Sequence, residues 1–299
     1  MRKIDVHQVD SFTNQLFGGN PAGVVTNADG LTDEEMQKIA REMNLSETAF
    51  VLKSASEQAD LRLRFFTPTG DEIDFCGHAT VGALFQLATL NQFGLGEPGG
   101  NSVRVETKAG ILPMTVVSKE AGPSINYVAP KLDMTPYRLQ GKAFAEAFGV
   151  PAELLKSDGT ILLDKHLNYI YIPTASLKAL GDQKFDFDRI RTQFGKENII
   201  VFCFFAGETI EVDSDLHARG LAPNVGVDED PFTGSMQAGL MMTARQNGYI
   251  SPDKYSIITE QGHFVGRPGS ARISQDRADG EFSITASAVS VFSTKMELR

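Results

Sequence analysis

The hexapeptide Leu45-Ser46-Glu47-Thr48-Ala49-Phe50 sets one carboxylate between two hydroxyls in an otherwise apolar run. A carboxyl group withdrawn from water holds its proton toward neutrality, where it can both take and give one. Glu47 is therefore a candidate general base that then serves as general acid. Two further turns, Cys76-Gly77-His78-Ala79-Thr80 and Asp230-Pro231-Phe232-Thr233-Gly234-Ser235, each lead into a helix-forming run. A helix N-terminus presents unpaired N–H groups and a partial positive charge, which suits a carboxylate ligand. Gly77 and Gly234 would let a ligand approach the backbone, while Ser46, His78 and Ser235 would add hydrogen bonds. The imidazole of His78 joins the Glu47 carboxylate as a candidate for proton transfer.

Each residue also has a plain structural use. Glu47 could be a solvated strand-end acid, His78 a hydrogen-bonded structural imidazole, Asp230 a turn residue, Ser235 a helix cap and Cys76 a small buried side chain. Chemistry is favoured by the recurrence of polar residues at equivalent places in two turns, which core packing does not demand. The five histidines (His7, His78, His166, His217, His263) form no H-x-x-x-H or H-E-x-x-H pair, so no metal is expected. No G-x-G-x-x-G or Walker A spacing follows a strand, and no cofactor is expected either. Phe232-Thr233-Gly234-Ser235-Met236 lacks the first glycine of a G-x-S-x-G elbow.

The elements that must carry these turns are partly legible. Residues 3–10 alternate as a strand, and the glycine turn of 18–25 leads into a second. Residues 31–44 read as an amphipathic helix with Thr32 as N-cap, Glu35 as its capping-box partner and Met36, Ile39, Ala40 and Met43 on one stripe. Further strands are expected from Glu47 to Lys53 and at 60–66, 102–107, 111–118, 167–172 and 198–205, with helices at 79–91 and 235–247.

An internal repeat organises them. Arg64, Pro68, Asp74, Gly77 and His78 run into one helix, and Arg219, Pro223, Asp230, Gly234 and Ser235 run into another; Thr107–Gly110 and Thr259–Gly262 then match downstream. The expected fold is α+β: two pseudo-symmetric halves, each a mixed, mostly antiparallel sheet rolled around a central helix. The halves are placed at residues 1–120 and 121–281, divided where charge, glycine and proline cluster. The last strand, about 282–294, is free to pair with either half, and residues 282–299 are candidates to complete the first.

With 299 residues there is room for two domains, and the 22% charged and 41% hydrophobic composition fits an ordinary folded protein. The net charge of −10, with basic residues scattered, argues against nucleic acid. No apolar stretch reaches a membrane-spanning length, and no signal-like segment opens the chain, so a cytoplasmic protein is expected. Two cysteines, Cys76 and Cys203, are too few for a disulfide framework.

The motifs VDSFT, GGNPAGVV, SETAFV, FFTPTGDEIDFCGHATVGA, APNVGVDEDPFTGSMQAG and EQGHFVGRPG together make the chain similar to the PhzF-like isomerase family. Those proteins are relatives of the phenazine-biosynthesis isomerase and share a fold with diaminopimelate epimerase. The resemblance covers nearly the whole chain, with little signature from about 125 to 215. It implies two similar halves with the active site between them. It further implies that Glu47 shuttles a proton, as the matching glutamate does within a dihydro-hydroxyanthranilate ring, with His78 and Asp230 as catalytic partners that orient the substrate and share its proton load. Ser235 and the Gly77 and Gly234 amides would hold its polar groups. The related epimerases use two opposed cysteines; here the first position is Cys76 but the second is Thr233, whose hydroxyl cannot supply that proton near neutral pH. The resemblance also makes a homodimer plausible. The reading is a cofactor-independent isomerase acting on a small carboxylate, against an epimerase or racemase and a non-catalytic small-molecule binding protein.

Overall fold

The computed structural model describes residues 2–120 and 122–298. The chain forms two compact units, one of residues 1–128 with 284–299, the other of residues 129–283. Strands and helices mix in both, giving an α+β fold.

In the first unit, β1 (Arg2–Ser11), β2 (Asn20–Val25), α1 (Asp33–Met43), β3 (Thr48–Leu52), β4 (Leu61–Phe66), β5 (Glu72–Ile73), α2 (Gly77–Thr89), β6 (Gly99–Thr107), β7 (Gly110–Lys119) and β8 (Gly122–Val128) follow in order. Strand pairing runs from β1 through β2, β3, β4, β6 and β7 to β8, with β2–β3 and β4–β6 parallel and the other steps antiparallel. The C-terminal strand Phe282–Leu298 pairs with both β1 and β8, so the sheet closes on itself. A closed sheet has no open edge to protect. Inside it lies α2, whose apolar residues fall on every side and whose positions from His78 to Leu84 are all buried. A helix that is apolar all round has no face to give to water, which is why this one becomes the core of the barrel.

The amphipathic α1 instead covers the outside, burying Met36, Ile39 and Ala40 against Val25, Phe50 and Phe66. It starts as its sequence dictates: the Thr32 hydroxyl accepts from the Glu35 N–H at 3.3 Å, and Glu35 accepts from the Thr32 N–H at 2.8 Å. It stops at Asn44, whose φ of 50° turns the chain left-handed and sends it through Ser46 and Glu47 into β3.

The second unit contains β9 (Met134–Pro136), α3 (Gly141–Phe148), β10 (Leu162–Asp164), β11 (Tyr169–Pro173), α4 (Leu177–Asp182), α5 (Phe187–Phe194), β12 (Val201–Ala206), β13 (Leu216–Ala222), β14 (Val227–Asp230), α6 (Gln237–Gln246), β15 (Ser256–Gln261) and β16 (Gly269–Gln275). Pairing runs from β9 through β10, β11, β12, β13 and β15 to β16, with β11–β12 and β13–β15 parallel. The buried α6 packs on β11 and β16. It is preceded by a 3-10 turn, Gly234–Met236, so the α-helix starts later than the expected residue 235. A phenylalanine cluster fills the remaining core: Phe148 meets Phe202 and Phe204 at 5.1 Å between ring centroids. The C-terminal strand Phe282–Leu298 is β17. Among the described residues no helix is long and apolar enough to cross a membrane.

Candidate active site

Glu47 stands at the mouth of β3 because the backbone there is pinned. Its carbonyl accepts from the Gly23 N–H at 3.1 Å, and a Cβ on Gly23 would lie 2.6 Å from the Thr48 hydroxyl. Only glycine lets β2 approach β3 this closely. His78 stands in the first turn of α2, and its carbonyl accepts from the Ser11 hydroxyl at 2.7 Å. Cys76 takes the N-cap position with extended backbone, and its carbonyl accepts from the Thr80 amide and hydroxyl at 3.0 and 2.7 Å.

These anchors bring Ser46, Glu47, Cys76 and His78 together. His78 Nε2 is 3.3 Å from Glu47 Oε2 and 3.3 Å from the Ser46 hydroxyl oxygen; its Nδ1 is 3.3 Å from Cys76 Sγ. One tautomer serves the Glu47 and Cys76 contacts together: Nε2–H donates to the carboxylate, and Nδ1 accepts from the thiol. The Glu47 side chain keeps 19% of its exposure against 10% for His78, so the carboxylate is the more exposed member and the imidazole its buried support. The distances lie at the long end for hydrogen bonds, which leaves the carboxylate able to turn toward a substrate. Glu47, Cys76 and His78 also offer three ligand atoms within 4.8 Å of one another, a set able to chelate a divalent ion.

Tyr127, on β8, is a member that sequence reasoning missed. Its hydroxyl is buried without a hydrogen-bond partner among the described residues. A Cβ on Gly77 would come within 3.2 Å of it, so Gly77 makes room for the phenol at the start of α2. Burial, with Cys76 adding to it, pushes the phenol's pKa well up and keeps it a neutral donor. No sequence signal marks Tyr127, because its role depends on where β8 passes the helix.

Asp230, Gly234 and Ser235 lie in the second unit. Asp230 ends β14, and its carboxylate accepts from the Thr233 hydroxyl at 2.5 Å. Gln261, on β15, locks this turn: its Nε2 donates to the Asp230 carbonyl at 2.7 Å, and its Oε1 accepts from the Thr233 N–H at 3.1 Å. The Ser235 hydroxyl lies 2.9 Å from that of Tyr169. Gln261 and Tyr169 were not singled out in the sequence, although Gln261 lies inside the repeated TEQG stretch.

The repeated arginines also gain partners. Arg64, on β4, makes a two-pronged pair with Glu72 on β5 at 2.7 and 3.0 Å; Arg219, on β13, makes the same fork to Glu229 on β14 at 2.9 and 2.6 Å. Both guanidiniums also lie over phenylalanine rings, Arg64 over Phe66 and Arg219 over Phe185. These pairs tie down the short strands that lead to the two helix-start turns.

Residues 9–294 match the family model described as phenazine biosynthesis-like protein, PhzC-PhzF. The uncharacterized isomerase YfhB of Bacillus subtilis is 34% identical over 299 residues, covering 98% of both chains. The crystal structure of a phenazine biosynthesis protein of the PhzF family from Bacillus anthracis superposes with a TM-score of 0.85 at 30% identity, covering 100% of both chains. A hydroxyproline epimerase from Agrobacterium vitis shares the fold alone, with a TM-score of 0.61 at 11% identity over 99% of this chain and 91% of its own.

Proposed function

The chain belongs to the phenazine biosynthesis-like (PhzC-PhzF) family, and from that premise we propose that it is an isomerase that moves a proton within a small carboxylate-bearing substrate. The observation that carries the reading is the partly exposed Glu47 carboxylate 3.3 Å from the buried His78 imidazole at the start of α2. In this reading Glu47 is the catalytic residue: its ionised carboxylate takes a proton from a carbon activated by an adjacent unsaturated or carbonyl group, and the same group returns that proton at another position. His78 is a positioning residue that holds the carboxylate through Nε2–H, with Cys76 fixing the tautomer from the other side. The N-terminus of α2 favours the substrate's negative charge, and the neutral Tyr127 phenol adds a donor there. The isomerase description of the Bacillus subtilis relative supports the reaction class.

A two-thiol epimerase is the weaker reading. Thr233 stands where the second thiol would be required, and its hydroxyl is donated to Asp230. A non-catalytic anion binder is weaker still, since it gains nothing from a carboxylate at the helix start. The test is solvent-deuterium incorporation, followed by mass spectrometry, across small amino and hydroxy carboxylates that include dihydro-hydroxyanthranilate. Label with the wild-type protein and a loss of about 10²- to 10⁴-fold in Glu47→Gln is expected. Undiminished label in Glu47→Gln would sink the general-base role.

A further inference from the structure

The second unit holds another titratable cluster that this mechanism does not use. The parallel pairing of β13 with β15 sets His217 opposite Glu260, and the 3-10 turn His263–Val265 brings His263 over them. His217 and Glu260 are both completely buried, and Nδ1 of His217 lies 2.7 Å from Oε1 of Glu260. The same carboxylate accepts from the N–H groups of Ile210 at 2.6 Å and Glu211 at 2.9 Å, so its negative charge is held in place. The two imidazole rings are 5.2 Å apart between centroids.

Three ring nitrogens here have no hydrogen-bond partner among the described residues: Nε2 of His217 and both nitrogens of His263. Buried polar atoms are rarely left so, and the His263 imidazole, with neither nitrogen partnered beside the His217–Glu260 pair, marks a place built for something else. Donor atoms of His217, Glu260 and His263 lie within 4.8 Å of one another. On the solvent side the more exposed Glu211 reaches to 3.5 Å from His263 Nε2, too long for a good hydrogen bond. Bonds of about 2.1 Å in a tetrahedron put neighbouring donors roughly 3.4 Å apart, so a small spreading of the His217 Nδ1–Glu260 pair from 2.7 Å and a modest inward movement of His263 enclose one ion.

We propose that His217, Glu260 and His263 bind a divalent transition-metal ion of the zinc class, with Glu211 closing the site toward solvent. Two neutral imidazoles and carboxylate oxygen are a set that suits such ions better than magnesium or calcium, which prefer oxygen alone. Two carboxylates balance the ion's charge. The nearby guanidinium of Arg219 does not oppose it, because Glu229 neutralises that group. The backbone amides on Glu260 supply the outer hydrogen bonds that orient a metal-binding carboxylate.

The test loads the chelator-treated full-length chain with Zn²⁺ in equilibrium dialysis and with Co²⁺ for absorption spectroscopy. One ion per chain is expected, with visible cobalt d–d bands and no near-ultraviolet thiolate band. Since His217 variants could fail to fold, His263→Gln is the informative one. His263→Gln removes a direct ligand and should weaken binding by more than the roughly 10- to 100-fold typical of lost outer-shell partners, and abolish the zinc-induced rise in Tm. Cys76→Ser should leave both unchanged. The proposal is overturned if the wild-type chain retains no ion, or if Cys76→Ser removes the ion while His263→Gln keeps it, which would assign the metal to the Glu47–Cys76–His78 cluster.

Discussion

Cys76 Sγ and His78 Nδ1 lie 3.3 Å apart across the first turn of α2, so the imidazole that contacts Glu47 is held from behind by a thiol. If the thiol only fixes the tautomer, Cys76→Ala removes one weak hydrogen bond, worth about 1 kcal/mol, and deuterium exchange should fall roughly fivefold. The far larger loss in Glu47→Gln is the comparison. Equal losses in the two variants would make the sulfur itself a proton carrier.

Arg219 and Glu229 form the more deeply buried of the two arginine forks, with side-chain exposures of 9% and 8% against 13% and 18% for Arg64 and Glu72. Removing one partner strands a desolvated charge. Glu229→Gln should therefore cost about 3 kcal/mol in urea unfolding and Glu72→Gln clearly less, because water reaches Arg64. A larger loss in Glu72→Gln would contradict this ranking.

Acid stability should report on Glu72. The hydrogen-bonded Arg64 guanidinium holds its pKa below the ordinary value of 4.5; the charges of Arg64 and Lys108 add to this, and burial opposes it. A depressed folded value means that the stabilisation is complete above pH 4.5 and is lost as pH falls through the lower folded value. Unfolding free energy of Glu72→Gln should thus change less steeply than wild type on the acid side of pH 4.5. Parallel curves would show that other carboxylates set the acid limit.

Gly220, on β13, passes so close to the Asp230 turn that a Cβ there would lie 2.9 Å from both Gln261 Nε2 and Thr233 Oγ1. Gly220→Ala should push Gln261 off the turn and destabilise the protein by about 1–3 kcal/mol. Thermal unfolding measures it, and an unchanged Tm would mean that the network yields without cost.

What the sequence made legible was local. The capping box at Thr32 and Glu35, the helix-forming run that becomes α2 and the separate candidates Glu47 and His78 are each read within a few residues of chain. Most of what escaped depends on strand register. Glu72 and Glu229 lie on very short strands beside the repeated arginines, Tyr127 reaches α2 from β8, and His217 meets Glu260 through a parallel pairing that no histidine spacing encodes. The helices α3, α4 and α5 lay in the stretch with little signature; each is of eight residues or fewer, too short for periodicity to separate from loop.

The closing of the first barrel by β17 sets an order of assembly. Sequence order puts β1 to β8 ahead of the second unit, yet the strand that stitches β1 to β8 is made after that unit. During synthesis the first unit waits with two exposed strand edges while the second can complete itself. The nascent chain's vulnerable period thus falls on the half that carries Glu47, where a chaperone would have most to shield.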